Sequence, residues 1–306
     1  MPKRVLRSSS STPVLDIVKE VVIKEEQLTS KKRKIKYTFQ QYELDLLKKY
    51  PIPQPITLPQ EFVSFHHPEF VRGVEHVLSK DPSLYPLVVH EPFKQFVAES
   101  KPATTLQECF QALCRSIIGQ QVSGAAANSI EKKFRALYQD NVFPTPEQAL
   151  ETDIQDLRNA GLSARKSEYV KSVAQFFKDG VITLEDLKNL NTEEFLEKLV
   201  QIKGIGEWSA KMFLAFSLKK LDVFAMDDLG IARGVSRYIE TRPDTLLKYK
   251  SVVKLRKSKF DDKKKRDWKV INDGYVELIS DDFKPYRTVL MLILWRASST
   301  NIDILS

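Results

Sequence analysis

The reactive groups available to this 306-residue chain are carboxylates, lysines and hydroxyls. Its four histidines, His66, His67, His76 and His90, all fall in the first third, and Cys109 and Cys114 share one apolar run. Five residues apart on a helix, the two cysteines read as neighbouring core residues, and no spacing of zinc or iron–sulfur type is present. The carboxylates that stand out are Asp227 and Asp228, which follow the apolar loop Leu221-Asp222-Val223-Phe224-Ala225-Met226 and precede a helical start at Leu229-Gly230-Ile231-Ala232-Arg233. A fixed carboxylate there stabilises positive charge building on a substrate and orients an attacking water. A helix N-terminus favours its ionised form, so catalysis and plain N-capping are compatible roles. No further acidic group has a ligand-like arrangement, which disfavours a metal-dependent nuclease.

Ahead of the aspartates lies a helical hairpin. Asn191 and Glu194 have capping-box spacing before Phe195, Leu196, Leu199 and Val200; Lys203-Gly204-Ile205-Gly206 follows, and a second helix begins at Glu207-Trp208-Ser209-Ala210-Lys211. Glycines permit positive φ and let one backbone press against another. The helix start behind them offers unpaired N–H groups to a phosphate, and Lys203 and Lys211 add point charges. Such contacts position a duplex without reading its sequence.

The elements that must hold these groups read as helices throughout, and the fold class expected is all-α. Apolar residues recur at helical spacing in 66–78, 106–118, 125–138, 145–150, 163–177 and 184–189, with little β-alternation. Residues 1–45 read as a disordered basic tail, and Pro51, Pro53, Pro55 and Pro59 as an extended lead-in. Ten lysines and arginines face four acids in 1–36, and ten face two in 248–266; with a net charge of +8, the rest of the chain is acidic overall. Nucleic-acid binding therefore does not follow from the total charge. The 248–266 stretch reads as a surface insertion, either solvated charge or a phosphate-contacting arm. The cluster Lys31-Lys32-Arg33-Lys34-Ile35-Lys36 reads as a nuclear import signal or a solvated tail, with a mitochondrial leader disfavoured by acids from Asp16 onward. No apolar run reaches the ~18 residues of a membrane span, so no membrane partner is expected.

Gly204-Ile205-Gly206, Trp208, Ala210 and an aspartate twenty residues after Trp208 resemble the helix-hairpin-helix DNA glycosylase superfamily. Ile118-Gly119-Gln120-Gln121-Val122-Ser123, with Pro285-Tyr286-Arg287 leading to Leu294-Trp295, resembles its fungal and inducible bacterial 3-methyladenine glycosylases. The similarity runs from about residue 68 to 301.

The resemblance implies a monofunctional enzyme that flips out alkylated purines, of 3-methyladenine and 7-methylguanine type, and hydrolyses their N-glycosidic bonds in base excision repair. The family places an apolar residue three after its catalytic aspartate; Ile231 satisfies this for Asp228, whereas Asp227 has Gly230 there. Asp228 is thus the expected catalytic residue. Trp208, Trp295 and Tyr286 are the expected walls of the base pocket, and Gln121, with Gln120 beside it, the wedge that fills the gap in the stack. Bifunctional relatives carry a lysine where this chain has Trp208, so no Schiff-base step is expected. The family also implies a monovalent cation on the carbonyls of Val200, Ile202 and Ile205, and no other cofactor. The implied architecture is two helical subdomains, 46–118 plus 235–306 and 119–234, with a DNA-binding cleft between them. The expected partner is double-stranded DNA containing damaged bases, bound by a monomer in the nucleus. A non-catalytic DNA-binding module and a glycosylase for another lesion, such as oxidised guanine, remain the alternatives.

Overall fold

The computed structural model describes residues 38–262 and 264–298. Among them the regular structure is helical, apart from one isolated bridge between His66 and Val97. The helices begin where side chains replace missing amide partners: Thr105 with Glu108, Thr145 with Gln148, Thr183 with Asp186 and Asn191 with Glu194 all form reciprocal capping boxes. Cys109 and Cys114 are buried free thiols, as their spacing suggests.

Two groups of helices share the work. In the first, Leu106–Gly119 and Ala164–Lys178 pack against each other, with Gly124–Arg135 and Pro146–Glu151 alongside. Phe110, Phe134 and Phe143 meet at ring-centroid distances of 6.2 Å and 5.3 Å in this core. The second group is built on the C-terminal helix Arg287–Ser298, buried along most of its length, which packs on Pro68–Lys80, Tyr85–Val89 and the aspartate helix Leu229–Thr241. A Cβ at Gly234 would fall 2.1 Å from the Leu294 carbonyl oxygen, so only glycine lets the aspartate helix and the C-terminal helix approach so closely. Arg296 is buried beneath them, its guanidinium 3.4 Å from the centroid of the Phe93 ring and donating to the carbonyls of Leu87, Val88 and Pro92.

This packing moves three expected boundaries. The Leu106–Gly119 helix joins the central group, because its apolar face meets 164–178 rather than the N-terminal helices. The aspartate helix joins the other group through its face on Arg287–Ser298. The expected tail ends early: Phe39–Lys49 is a helix capped by Thr38, and Phe39, Tyr42 and Leu46 bury one face of it. The import cluster 31–36 lies outside the described residues.

Candidate active site

The loop that delivers the aspartates is clamped from one side. Arg287 forks onto Asp222 at 2.7 Å and 3.0 Å, a charge-assisted pair. Next to it, Thr288 takes the Leu221 carbonyl with its amide at 2.9 Å and receives the Val223 amide on its hydroxyl at 2.9 Å. The Pro285-Tyr286-Arg287 run thus serves to fix the loop. Tyr286 itself is not a pocket wall, and that expectation is corrected: its ring lies against Gly73 and beside His76, 5.2 Å between centroids.

Asp228 emerges from this loop as the N-cap of the aspartate helix. Its Oδ1 accepts the Ile231 amide at 2.9 Å and the Trp295 indole N–H at 2.8 Å, while Oδ2 accepts the Trp208 indole N–H at 2.8 Å. A carboxylate offers about four acceptor positions, so the one left open is on Oδ2. Asp227 points elsewhere, its Oδ2 3.4 Å from the Lys259 amine in the basic insertion. Of the two aspartates, Asp228 is the one that faces both indoles.

Trp208, Trp295 and Asp228 line an open cavity of about 700 Å³ together with Gln95, Met212, Phe216, Leu229, Gly230, Arg233 and Ser298. Phe216 stacks on Trp295 with centroids 5.9 Å apart and planes within 15°. It gets there because the hairpin's second helix, Glu207–Met212, runs straight into a π turn, Phe213–Ser217, closed by the Leu218 amide on the Phe213 carbonyl. The wider turn brings Phe216 onto the cavity that Met212 also lines. A Cβ at Gly230 would lie 2.8 Å from Trp295 Cδ1 and 3.0 Å from Asp228 Oδ1, so a bare backbone at that position makes room for the indole–carboxylate bond.

The hairpin turn is braced rather than loose. Gly204 takes φ +97°, and a Cβ there would fall 2.2 Å from the Tyr169 ring. Gly206 is extended at φ −87° and caps the second helix without a side chain, so left-handed freedom is needed only at the first glycine. Gln120 donates to the Gly204 carbonyl at 3.1 Å, which occupies the amide expected beside the wedge; Gln121 is exposed at φ +57°, at the tip between two helices. Lys203 is exposed and paired with Glu168 at 2.7 Å. Lys211 is corrected as a DNA-facing charge: its side chain is 13% exposed and bound to Glu207 one turn back.

Gln95, Phe216 and Arg233 were not legible as site residues. Phe216 carried a usable signal, eight residues after Trp208 on a continuing helical face, and Arg233 lies one turn after Leu229. Gln95 comes from the distant turn Lys94–Phe96 with no local sign.

A model of HhH-GPD superfamily base excision DNA repair proteins matches residues 114–257. The chain is 41% identical over 263 residues to the DNA-3-methyladenine glycosylase of Saccharomyces cerevisiae, covering 82% of this chain and 87% of that one. It is similar in structure to the 3-methyladenine DNA glycosylase of Schizosaccharomyces pombe in complex with abasic DNA, at 29% identity and a TM-score of 0.53, over 75% of this chain and 100% of that one. A DNA-3-methyladenine glycosidase of Bacillus halodurans gives a TM-score of 0.55 at 29% identity, over 74% and 89% of the two chains.

Proposed function

The chain belongs to the HhH-GPD superfamily of base excision DNA repair proteins, and from that premise we propose that it hydrolyses the N-glycosidic bond of alkylated purines in DNA without cleaving the strand. The observation that carries this reading is the Asp228 carboxylate, held by two indole N–H groups at an aromatic cavity. The base leaves the stack at a cost of a few kcal/mol that damage reduces. Trp208, Phe216 and Trp295 offer ring faces to an electron-poor purine, a cation–π arrangement for a base made cationic by alkylation. As the glycosidic bond breaks, positive charge develops on the deoxyribose, and the fixed carboxylate stabilises it. The remaining Oδ2 lone pair is available to orient the water that attacks the sugar. An alkylated base departs as a neutral molecule and needs little acid catalysis.

Gly206 leaves the first-turn amides of the second hairpin helix without a side-chain cap, which suits a backbone phosphate of double-stranded DNA. We propose also that the hairpin binds a monovalent cation on the Val200, Ile202 and Ile205 carbonyls, as the family resemblance implies. The Ile202 carbonyl gives one lone pair to the Ile205 amide at 3.0 Å and keeps the other. DNA affinity measured with potassium replaced by lithium at constant ionic strength checks it; equal affinities would remove the cation. We propose further that the enzyme acts as a monomer in the nucleus, which sedimentation and a reporter fused to residues 1–45 would test.

The deciding experiment is release of free base from methylated DNA by the wild type and Asp228→Asn, with strand integrity read on the same samples. Methylpurines released with intact strands, and lost by on the order of 10²-fold or more in the variant, are expected. A folded, DNA-binding wild type that releases none would sink the reading.

A further inference from the structure

Arg233 lines the cavity of Asp228 from the aspartate helix, and nothing in the described structure accounts for its charge. Its Nε is buried without a hydrogen-bond partner among the described residues. Arg237, one turn further on, adds a like charge. The other arginines of this half are all engaged: Arg237 on the Ala297 carbonyl, Arg242 on Glu43 and Asp81, Arg287 on Asp222, Arg296 on three carbonyls. A buried polar group left unpaired costs about 1–3 kcal/mol. The terminal guanidinium nitrogens are not among the buried atoms and make no hydrogen bond among the described residues, so they are the donors that an acceptor brought into the cavity meets.

The chemistry of that acceptor follows from the lining. Trp208, Phe216 and Trp295 present ring surfaces suited to the flat faces of a base, so polar groups on the lining meet its edge. Ser298 already donates its hydroxyl to the Trp295 carbonyl at 2.7 Å. Arg233 has donors and no acceptor. A guanine-derived base carries a carbonyl oxygen at C6; an adenine-derived base carries an amino donor there. Facing a guanidinium, the oxygen is satisfied and the amino group is not.

We propose that Arg233 is a specificity residue that donates to the C6 carbonyl oxygen of the extruded purine and so favours guanine-derived over adenine-derived lesions. The proposal rests on the glycosylase reading above. Its test is single-turnover release of 7-methylguanine and 3-methyladenine from one methylated duplex preparation, the two free bases separated and quantified together. Arg233→Gln, whose amide both donates and accepts, lowers the ratio of the 7-methylguanine rate to the 3-methyladenine rate by about tenfold or more, the scale of one good base-edge contact. Retained 3-methyladenine release certifies the fold of the variant. Arg233→Met, which removes every donor at similar length, lowers the same ratio and serves if the glutamine variant melts early. An unchanged ratio, whether both rates fall together or neither moves, overturns the proposal and leaves the glycosylase reading intact. A wild type that releases neither base removes both.

Discussion

Trp208, on the second helix of the hairpin, and Trp295, on the C-terminal helix, donate their indole N–H groups to different oxygens of one carboxylate, each at 2.8 Å. Neither indole is merely a stacking surface. Each fixes the direction in which Asp228 points, and each draws on a bond to a charged group, worth about 1.5–3 kcal/mol.

Trp295→Phe isolates that effect. Phenylalanine preserves an aromatic ring next to Phe216 and removes the N–H. The single-turnover rate of base release should fall about tenfold or more, with DNA affinity close to wild type. An unchanged rate would mean that the indole serves the pocket wall alone.

Gly230→Ala sets helix propensity against the site. Alanine in a helix gains up to ~1 kcal/mol over glycine, yet its Cβ would lie 2.8 Å from Trp295 Cδ1. The indole must give way, which lengthens its bond to Asp228. Base release should drop several-fold while the melting temperature stays within a few degrees of wild type. Calorimetry beside single-turnover kinetics separates the two effects.

Lys203→Ala should leave thermal stability unchanged, because the Lys203–Glu168 pair is exposed on both sides and such pairs contribute little. If Lys203 neutralises a phosphate when DNA binds, the slope of log affinity against log salt becomes shallower by about one unit. A salt titration of both proteins on the same duplex provides the comparison, and identical slopes would remove Lys203 from the interface.

Acid should destabilise the protein through its buried histidines. Burial, reinforced by the Arg296 charge, holds His90 down to about 4 from its usual 6.5. Its Nδ1 meets the Leu87 carbonyl at 3.1 Å and its Nε2 is buried without a partner among the described residues, so a second proton has no acceptor there. The unfolded chain takes up that proton near pH 6.5 and the folded one does not. The stabilisation is complete above pH 6.5 and is lost as pH falls from there toward 4, by roughly 3 kcal/mol in total. Burial shifts His66 in the same direction. Melting curves between pH 7 and 4 should fall steeply for the wild type and less steeply for His90→Gln.

Local signals carried much of this site into view. The glycine turn, the aspartate at a helix start and the capping boxes are each written within a few residues, and the structure brings together Asp228, Trp208 and Trp295, which the family resemblance named, through indole bonds that the sequence did not announce. What escaped depends on contacts between distant segments. Tyr286 belongs to the same short run as Arg287, but its ring is taken up by the gap at Gly73, which no local pattern announces. Gln120 looks free in the sequence and is engaged by the Gly204 carbonyl across the fold. The Phe39–Lys49 helix was hidden by its charges, although Phe39, Tyr42 and Leu46 already had helical spacing.

The missing side chain at Gly234 reaches beyond packing. With the Leu294 carbonyl so near, the aspartate helix and the C-terminal helix lie against each other without a side chain between them, and Trp295 reaches the carboxylate from that contact. Trp208 comes from the hairpin, and Phe216, on the turn that continues the same helix, stacks on Trp295. One carboxylate and one ring stack therefore stitch the hairpin to the C-terminal helix, and whatever enters the cavity between them is felt by both at once.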